Sequence, residues 1–580
     1  MKLFFLPILI VSAVLSTAHS QRQDNVWVLG YNYDPTDALA EGVHLRFDDS
    51  LQISYPKRPM GLFNSNASIC DSLGNLLLYS NGCYVETADG IEVENSEGMN
   101  PGFLYNLFCS DNYGYGLSQS IVLLPDPGNP DLFHFFHIPL VAPSFVKNVL
   151  HTVVDMSANN GNGTTLFKNQ IVATDTIHRH GIHAVRHANG RDWWIIAAKI
   201  YSNRYYLLLL TPDGVETKYQ EIGPVDVGVV YGGEMVFSPD GCKVARFDTR
   251  DDLRIFDFDR CTGTLSNPVH IPIQDEADIE ILAGLAWSAD SRYIYTAEAQ
   301  RLLQFDAWAS DIAGSMVLVA EADPPLCPLS GSIGIMELGP DGMIYCSPFN
   351  GQKCLHRMKN PERAGTACAF EQNYFQLDYP FDGLPHFPNF RLGPIDGSPC
   401  DSLGIDNHPL ANWRYDRTPG LGVDFTSVSW YEPTDWWWDF GDPGSGPANH
   451  STEKHPAHTY TAAGPYEVCL TVSNQYGSDT KCKTVWVEQT TSLPGLPPAP
   501  SKRGGVTLWP NPTAGEVRWG GVEEGEEVTV QVHDALGRLC LQATTREGRA
   551  DLGGLPEGIY FVSLINKQGK RIASKPILLH

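Results

Sequence analysis

The chain has 580 residues, enough for several domains, and 42% of them are hydrophobic, enough for packed cores. Its 54 glycines, 41 prolines and 11% aromatics suit turn-rich β structure and not helical bundles. A formal net charge of −27 makes a surface that repels phosphate backbones, which excludes nucleic acid as a partner.

Residues 1–20 read as a signal peptide. Lys2 supplies the positive end, "LFFLPILIVSAVL" the apolar core, and Ala18 and Ser20 the small residues before Gln21. The run is shorter than the roughly 20 residues that a membrane span needs. No other stretch suits a membrane helix. The mature chain is therefore expected to be exported, with no transmembrane segment, either secreted or at the cell surface. All 13 cysteines lie in the exported part, where disulfides form. The number is odd, so at least one lacks an intrachain partner, and no CxxC pair suggests a metal.

Residues 21–408 carry a repeat. "HAVRHANGRDWWIIAA", "EMVFSPDGCKVARFD", "GLAWSADSRYIYTAE" and "IMELGPDGMIYCSP" each read as strand, tight turn, strand. Their turns centre on Gly190, Gly241, Ser291 and Gly342, at steps of 51, 50 and 51 residues. "SICDSLGNLLLYS" around Gly74 and "IVLLPDPGNPDLFHFFHI" around Gly128 add two hairpins upstream. "GLPHFPNFRLG" falls about one period after the last turn. A period near 50 residues with several short strands per unit predicts a β-propeller, because a ring of blades buries sheet faces that one blade cannot. About seven blades fit, or six if the degenerate first and last units are not both blades. The N-terminal strand "NVWVLG" is expected to complete the last blade.

Within this region "IHRHGIHAVRH" places His178, His180, His183 and His187 close together. In a strand His183 and His187 lie about 13 Å apart, too far for one ion, and no Glu follows His183 to make a zincin motif. The cluster is read as structural. "SDNYGYG" (110–116) and "DTRDD" (248–252) offer the oxygens that calcium takes. Neither has the spacing of a known calcium loop, so they are read as solvated hairpin tips, and no cofactor is expected. No GxSxG, P-loop or dinucleotide-binding glycine pattern stands in its proper context.

Residues 409–489 contain "TDWWWDFGDPGSG". Alternation along a strand puts Trp436, Trp438 and Phe440 on one face and Trp437 and Asp439 on the other. Downstream, Tyr466, Val468, Leu470 and Val472 share a face. A tryptophan facing a strictly alternating strand is the core logic of an immunoglobulin-like sandwich. With "HPAHTYTAAGPYEVCLTVSN", the run resembles a PKD domain. The motif residues are Trp438, Asp439, Phe440, Gly441, Asp442 and Tyr460, with Pro443 where that family usually has Gly. The resemblance implies a non-catalytic spacer or adhesive module. Trp438 and Phe440 are expected in the core, and Trp437 is the candidate exposed contact. Cys469 and Cys482 straddle the "SNQYGSD" turn and are expected to be bonded. The same midpoint argument proposes Cys242 with Cys261 and Cys346 with Cys354, leaving Cys540 as the unpaired candidate.

Residues 490–505, "TTSLPGLPPAPSKRGG", read as a linker. Residues 506–580 open with Pro510, Asn511, Pro512 and Gly515, turn at Asp534, Gly537 and Arg538, and end in a tail with Leu555, Gly558, Tyr560 and Val562. Together these resemble the type A C-terminal sorting domain of the Bacteroidetes type IX secretion system. The resemblance implies a small β-sandwich recognised at the outer membrane, so the type IX machinery is the expected partner. "ASICDSLGNLLLYSNG", "HANGRDWWII" and "GLPHFPNF" are similar to segments of large surface propeller proteins from the same bacteria.

The sequence thus predicts an all-β chain of a propeller, an immunoglobulin-like PKD sandwich and a small C-terminal sandwich. Two functions are compatible with it. One is an exported or surface binding and adhesion protein for an extracellular glycan or protein. The other is an exported hydrolase or lyase with its site at the axial mouth of the propeller. Removing residues 504–580 is expected to abolish export while the upstream domains stay folded, because few contacts should cross the linker. Fractionation of a bacterium that has the type IX system should find the truncated chain in the periplasm. Equal delivery of both forms to the surface would contradict the sorting-domain reading.

Overall fold

In a computed structural model the described residues are 22–488, apart from 31–39, 110–112, 143–144, 227–232, 250–251, 274–282, 299, 323–331 and 349–351, together with most of 507–579. The predicted signal peptide and linker lie outside them. The chain forms two compact units, Met1–Thr490 and Thr491–His580.

Seven sheet units make the first 400 residues a propeller. The first contains β1 (Val26–Leu29), β3 (Val43–Phe47) and β4 (Leu51–Ser54), flanked by a small pair, β2 (Ala40–Glu41) and β5 (Lys57–Arg58). The second is β6 (Ala67–Cys70), β7 (Leu76–Ser80) and β8 (Val85–Thr87). The third and fourth are fused. β9 (Ile121–Pro125), β10 (Leu132–His137), β11 (Leu140–Ala142) and β12 (Phe145–Asp155) precede the long β13 (Thr164–Arg186). The first part of β13 pairs with β12, and its last part, from Ile182, pairs with β14 (Trp193–Lys199). β15 (Arg204–Thr211) and β16 (Gly214–Glu221) complete the fourth blade. Three regular four-stranded blades follow. They are β17 (Gly233–Phe237), β18 (Lys243–Asp248), β19 (Asp252–Asp259) and β20 (Thr264–Ile271); β21 (Gly284–Trp287), β22 (Tyr293–Ala297), β23 (Arg301–Asp306) and β24 (Val317–Glu321); and β25 (Met336–Leu338), β26 (Ile344–Cys346), β27 (Gln352–Met358) and β28 (Phe370–Phe381).

The repeated turns are built by their own side chains. Ser238 Oγ donates to Asp240 Oδ1 at 2.6 Å, and Asp240 Oδ1 accepts the Cys242 N–H at 2.9 Å. Gly241 holds φ +71° there, and Ser291 takes the same left-handed position at +63°. Apolar cores lie between successive blades. Trp194, Ile196, Met235 and Phe256 fill one such layer, and Phe247, Ile255, Leu285, Trp287 and Phe305 fill the next.

Closure differs from the sequence expectation. β1 does not join the last sheet; it pairs antiparallel with β3 in a unit of its own. "GLPHFPNF" forms no hairpin. After β28 the chain runs as an irregular buried segment whose Phe387 packs on Trp27, with ring centroids 6.0 Å apart, while Arg391 pairs with Asp24. The segment thus lies antiparallel beside β1. Pro385 and Pro388 lack the N–H donors that a ladder there would use.

Cys469 and Cys482 face each other in register across a hairpin and are bonded, with Cα atoms 4.1 Å apart. The other two proposed pairs do not form. Cys242 is a free thiol, and Cys261 bonds Cys400 across a separation of 139 residues. The register explains this: Lys243 opposes Asp257, so Cys242 comes before the position that could face Cys261. Cys346 is a free buried thiol opposite His356, and Cys354 is in a different disulfide. Cys83 bonds Cys109, a pair that the midpoint argument does not suggest. Cys540 lies in the strand Leu539–Thr545 of the second unit.

The PKD segment is a two-sheet sandwich. One sheet has β29 (Trp413–Arg417), β30 (Gly422–Ser427) and β33 (Ala457–Thr459); the other has β31 (Asp435–Asp439), β32 (His450–Ser451), β34 (Gly464–Asn474) and β35 (Gly477–Val487). Trp438 sits between the sheets, 5.6 Å from Trp413 and beside Phe425 and Phe440. Its Nε1 donates to the Glu453 carbonyl at 3.0 Å. Trp437 is 50% exposed and stacks on His450. The second unit has sheets β36 (Thr507–Trp509), β37 (Glu516–Gly520), β40 (Arg549–Asp551) and β38 (Val528–Asp534), β39 (Leu539–Thr545), β41 (Gly558–Asn566), β42 (Arg571–Leu579).

Trp438→Ala removes the centre of the sandwich core and should cost about 3–5 kcal/mol. Trp437→Ala, at a half-exposed position, should change stability by less than about 1 kcal/mol. Denaturant unfolding of the two variants checks this; equal losses would contradict the assigned faces.

Candidate functional site

The inner strands β6, β9, the end of β13, β17, β21 and β25 succeed one another around the ring. Glu234 in β17 and Glu337 in β25 point at its centre, where His386 of the closing segment meets them. His386 Nδ1 lies 3.7 Å from Glu234 Oε1 and 3.7 Å from Glu337 Oε2. It also lies 3.0 Å from Gln119 Nε2, just before β9. The three blades that carry these partners do not adjoin one another, so His386 lies on the propeller axis.

Glu234 and Gln119 have protein partners in this cluster, while His386 Nε2 is buried without one. Glu234 Oε2 accepts the Leu285 N–H at 2.5 Å and the Met336 N–H at 3.5 Å, from the next two blades. Gln119 Oε1 accepts the Met235 N–H at 3.0 Å. The backbone of Phe387 lies beside both Glu337 and His183 and opposes the effect of burial on each. Burial raises the Glu234 carboxyl well above its ordinary value, and burial together with the neighbouring Glu234 does the same to Glu337. Burial, then His183, lowers His386 to about 3. Burial thus favours the neutral forms of all three groups over ion pairs. The void beside it measures only about 60 Å³.

Sequence reasoning did not find this cluster. One signal was present: Glu234 stands seven residues before the turn Gly241, and His183 stands seven before Gly190, where the other repeats have Gly284 and Ile335. A polar residue at the start of an inner strand breaks the apolar pattern.

The histidine run divides. His178 Nε2 lies 3.1 Å from Asp226, which also holds Arg246 at 2.8 Å. His183 packs on Phe237, and burial lowers it to about 4. His187 Nε2 reaches the Cys261 carbonyl at 3.0 Å. The side chain of His180 is outside the described residues. Among those described, no three His, Cys, Asp or Glu side chains are placed to hold a metal ion. In the two acidic turns, residues 110–112 and 250–251 are not described. Asp252 Oδ1 accepts the Ile273 N–H at 2.9 Å.

The PKD motif residues converge on one corner. Asp439 Oδ1 accepts the N–H of Gly441 and the Asn449 amide, both at 2.9 Å. Asp442 accepts Thr461 N–H at 2.9 Å and Thr461 Oγ1 at 2.6 Å. A side chain at Gly441, which has φ +68°, would strike the Glu467 backbone. Tyr460 is buried against His458 and Tyr466. In the second unit Tyr560 opposes Asp534, and Gly558 opposes Leu579. Pro510, Asn511, Pro512, Gly515, Gly537 and Arg538 lie outside the described residues.

A second concavity, of about 240 Å³, lies between the propeller and the PKD sandwich. Its walls include Asp49, Asp341, Phe375, Arg414, Tyr415 and Lys483. No helix among the described residues is long and apolar enough to cross a membrane.

Residues 409–488 match the PKD domain family, and residues 507–578 match the secretion system C-terminal sorting domain family. No curated protein matches the chain. Among solved structures, the PKD1 domain of Vibrio anguillarum Epp is 34% identical over 14% of this chain and 96% of its own, with TM-score 0.13. A Lactobacillus plantarum protein is 13% identical, covering 62% of this chain and 99% of its own, with TM-score 0.37. PorZ, a surface component of the type IX secretion system of Porphyromonas gingivalis, is 10% identical, covering 93% and 97%, with TM-score 0.18. The chain is thus an all-β protein in which a propeller fold is followed by a PKD domain and a type IX C-terminal sorting domain, and the sorting domain directs its export, engages the type IX machinery and leaves it secreted or held at the cell surface.

Proposed function

We propose that the protein is an exported binding protein in which the propeller is a rigid display scaffold and the PKD domain assists or spaces it. One observation carries this reading: the propeller axis, where an enzyme of this architecture would place its site, is occupied by the chain's own residues 382–391. Glu234 is committed to backbone N–H groups of two further blades, Glu337 and His386 sit against it, and the void beside them is smaller than one sugar ring. The meeting of two carboxyls and an imidazole favours the alternative, an exported hydrolase or lyase. The burial of Glu234 and His386 weighs against it, since a general base must reach its substrate.

The full chain, screened on glycan and protein arrays, should retain a saturable ligand. The variant Glu234→Gln should bind that ligand as well as the wild type does. Loss of a hydrolytic activity in this variant, with its fold intact, would favour the enzyme reading instead.

Stability gives a separate check on the cluster. Glu234 has a raised folded-state pKa, so above the ordinary glutamate value the unfolded chain releases a proton that the folded chain keeps. Its contribution therefore becomes less favourable as pH rises toward the folded value. Gln cannot ionise. The stability difference between Glu234→Gln and wild type should shift in favour of the variant between about pH 5 and about pH 8. Thermal unfolding across that range measures it, and a constant difference would refute the neutral-cluster assignment.

A further inference from the structure

The cleft between the propeller and the PKD sandwich is cationic on a chain whose net charge is −27. Most of its basic groups already have carboxylate partners. Arg357 donates to Glu371 at 2.8 Å, Arg414 to Glu362 at 2.8 Å, and Lys481 lies 2.6 Å from Asp49. Lys483 is different. Its ammonium donates to the Trp413 carbonyl at 2.5 Å and to Asn412 Oδ1 at 3.3 Å, and it lies 5.1 Å from the centre of the Trp413 ring. Among the described residues no carboxylate is within ion-pair distance of it. Asp341, in the same wall, is already an acceptor for Tyr345 Oη at 2.7 Å and the Met343 N–H at 3.1 Å.

Two further donors in the walls have no acceptor: Trp430 Nε1 and Arg414 Nε. Buried donors left unmade are costly. A half-buried cation in a cleft whose walls also hold unmatched donors selects a ligand that is negatively charged and accepts only, which is the chemistry of a carboxylate. The cleft's 240 Å³ falls below the range for drug-sized ligands and suits a single ring. Phe375, Tyr415 and Trp430 supply partly exposed aromatic surface for that ring.

The geometry points to this cleft as the seat of a carboxylate-bearing ligand about one sugar ring in size, with its carboxylate on Lys483. The inference rests on the binding-protein reading and gives that reading a site and a ligand class. Burial, then Lys481, lowers Lys483 to about 8, while Asp49 and Asp341 act in the opposite direction. The groups facing it come from its own strand (Lys481), the β3–β4 turn (Asp49), the β25–β26 turn (Asp341) and β29 (Arg414). A bound carboxylate stabilises the protonated ammonium, so affinity should be highest below pH 8 and fall as pH rises through that value.

The test is calorimetric titration of the full chain with glucuronate, with glucose as the uncharged control. Trp413 and Trp430 give an independent fluorescence readout. Glucuronate should bind saturably and glucose should not. Lys483→Met should weaken glucuronate binding at least about tenfold, and Lys483→Arg should restore most of it. In the wild type, affinity should fall between about pH 7 and about pH 9. Equal binding of glucose, no glucuronate binding, or undiminished binding by a folded Lys483→Met variant would overturn the assignment. If that variant does not fold, a wild-type pH profile flat across this range overturns it. An array ligand retained by Lys483→Met would end this site but leave the binding reading standing; arrays that find no ligand would end the binding reading itself.

Discussion

A carboxyl group shut away from water holds the propeller together at its axis. Glu234 belongs to the fifth blade, accepts backbone N–H groups from the sixth and seventh, and faces Gln119 of the third. A charge there would meet a large desolvation cost, and the group avoids it by staying protonated. His386 completes the cluster as a neutral imidazole. The blades depend on this meeting because each buries its faces only against neighbours, and the ring must close for the end blades to be covered.

Closure comes from a segment that is not a strand. After β28 the chain turns inward, places His386 and Phe387 at the centre and leaves with Arg391 against Asp24. The Asn389 amide donates to the Pro239 carbonyl at 2.7 Å, and the Cys261–Cys400 disulfide then ties the departing chain to the fifth blade. A crosslink across so long a loop removes much unfolded-state entropy. The same path brings the PKD sandwich against the propeller. Arg414 reaches Glu362 and Lys481 reaches Asp49, so the two domains share a wall and enclose the cationic cleft.

Local rules were legible in the sequence where the chain itself enforces them. The strand alternation that puts Trp438 inward and Trp437 outward follows from backbone geometry alone. The pairing of Cys469 with Cys482 follows from a hairpin with no bulge between them. The midpoint argument fails for Cys242 and Cys261 because distance along a chain does not state register, and the residue opposite Lys243 is Asp257. It also cannot reach Cys400, which arrives from 139 residues away. Of the candidate sites, the histidine run was visible as a cluster in sequence but disperses in space, with His178 going to Asp226 and His187 to the Cys261 carbonyl.

Composition, the 50-residue period, and the PKD and sorting motifs determined the architecture, because hydrophobic alternation, turn chemistry and signal-like motifs act over a few residues. The axial cluster and the interdomain cleft were decided only by the tertiary structure. Gln119, Glu234, Glu337 and His386 come from four distant segments, and Asp49, Arg414 and Lys483 from three others. Their chemistry depends on burial and on what faces them, quantities that exist only once the ring has closed and the sandwich has docked against it.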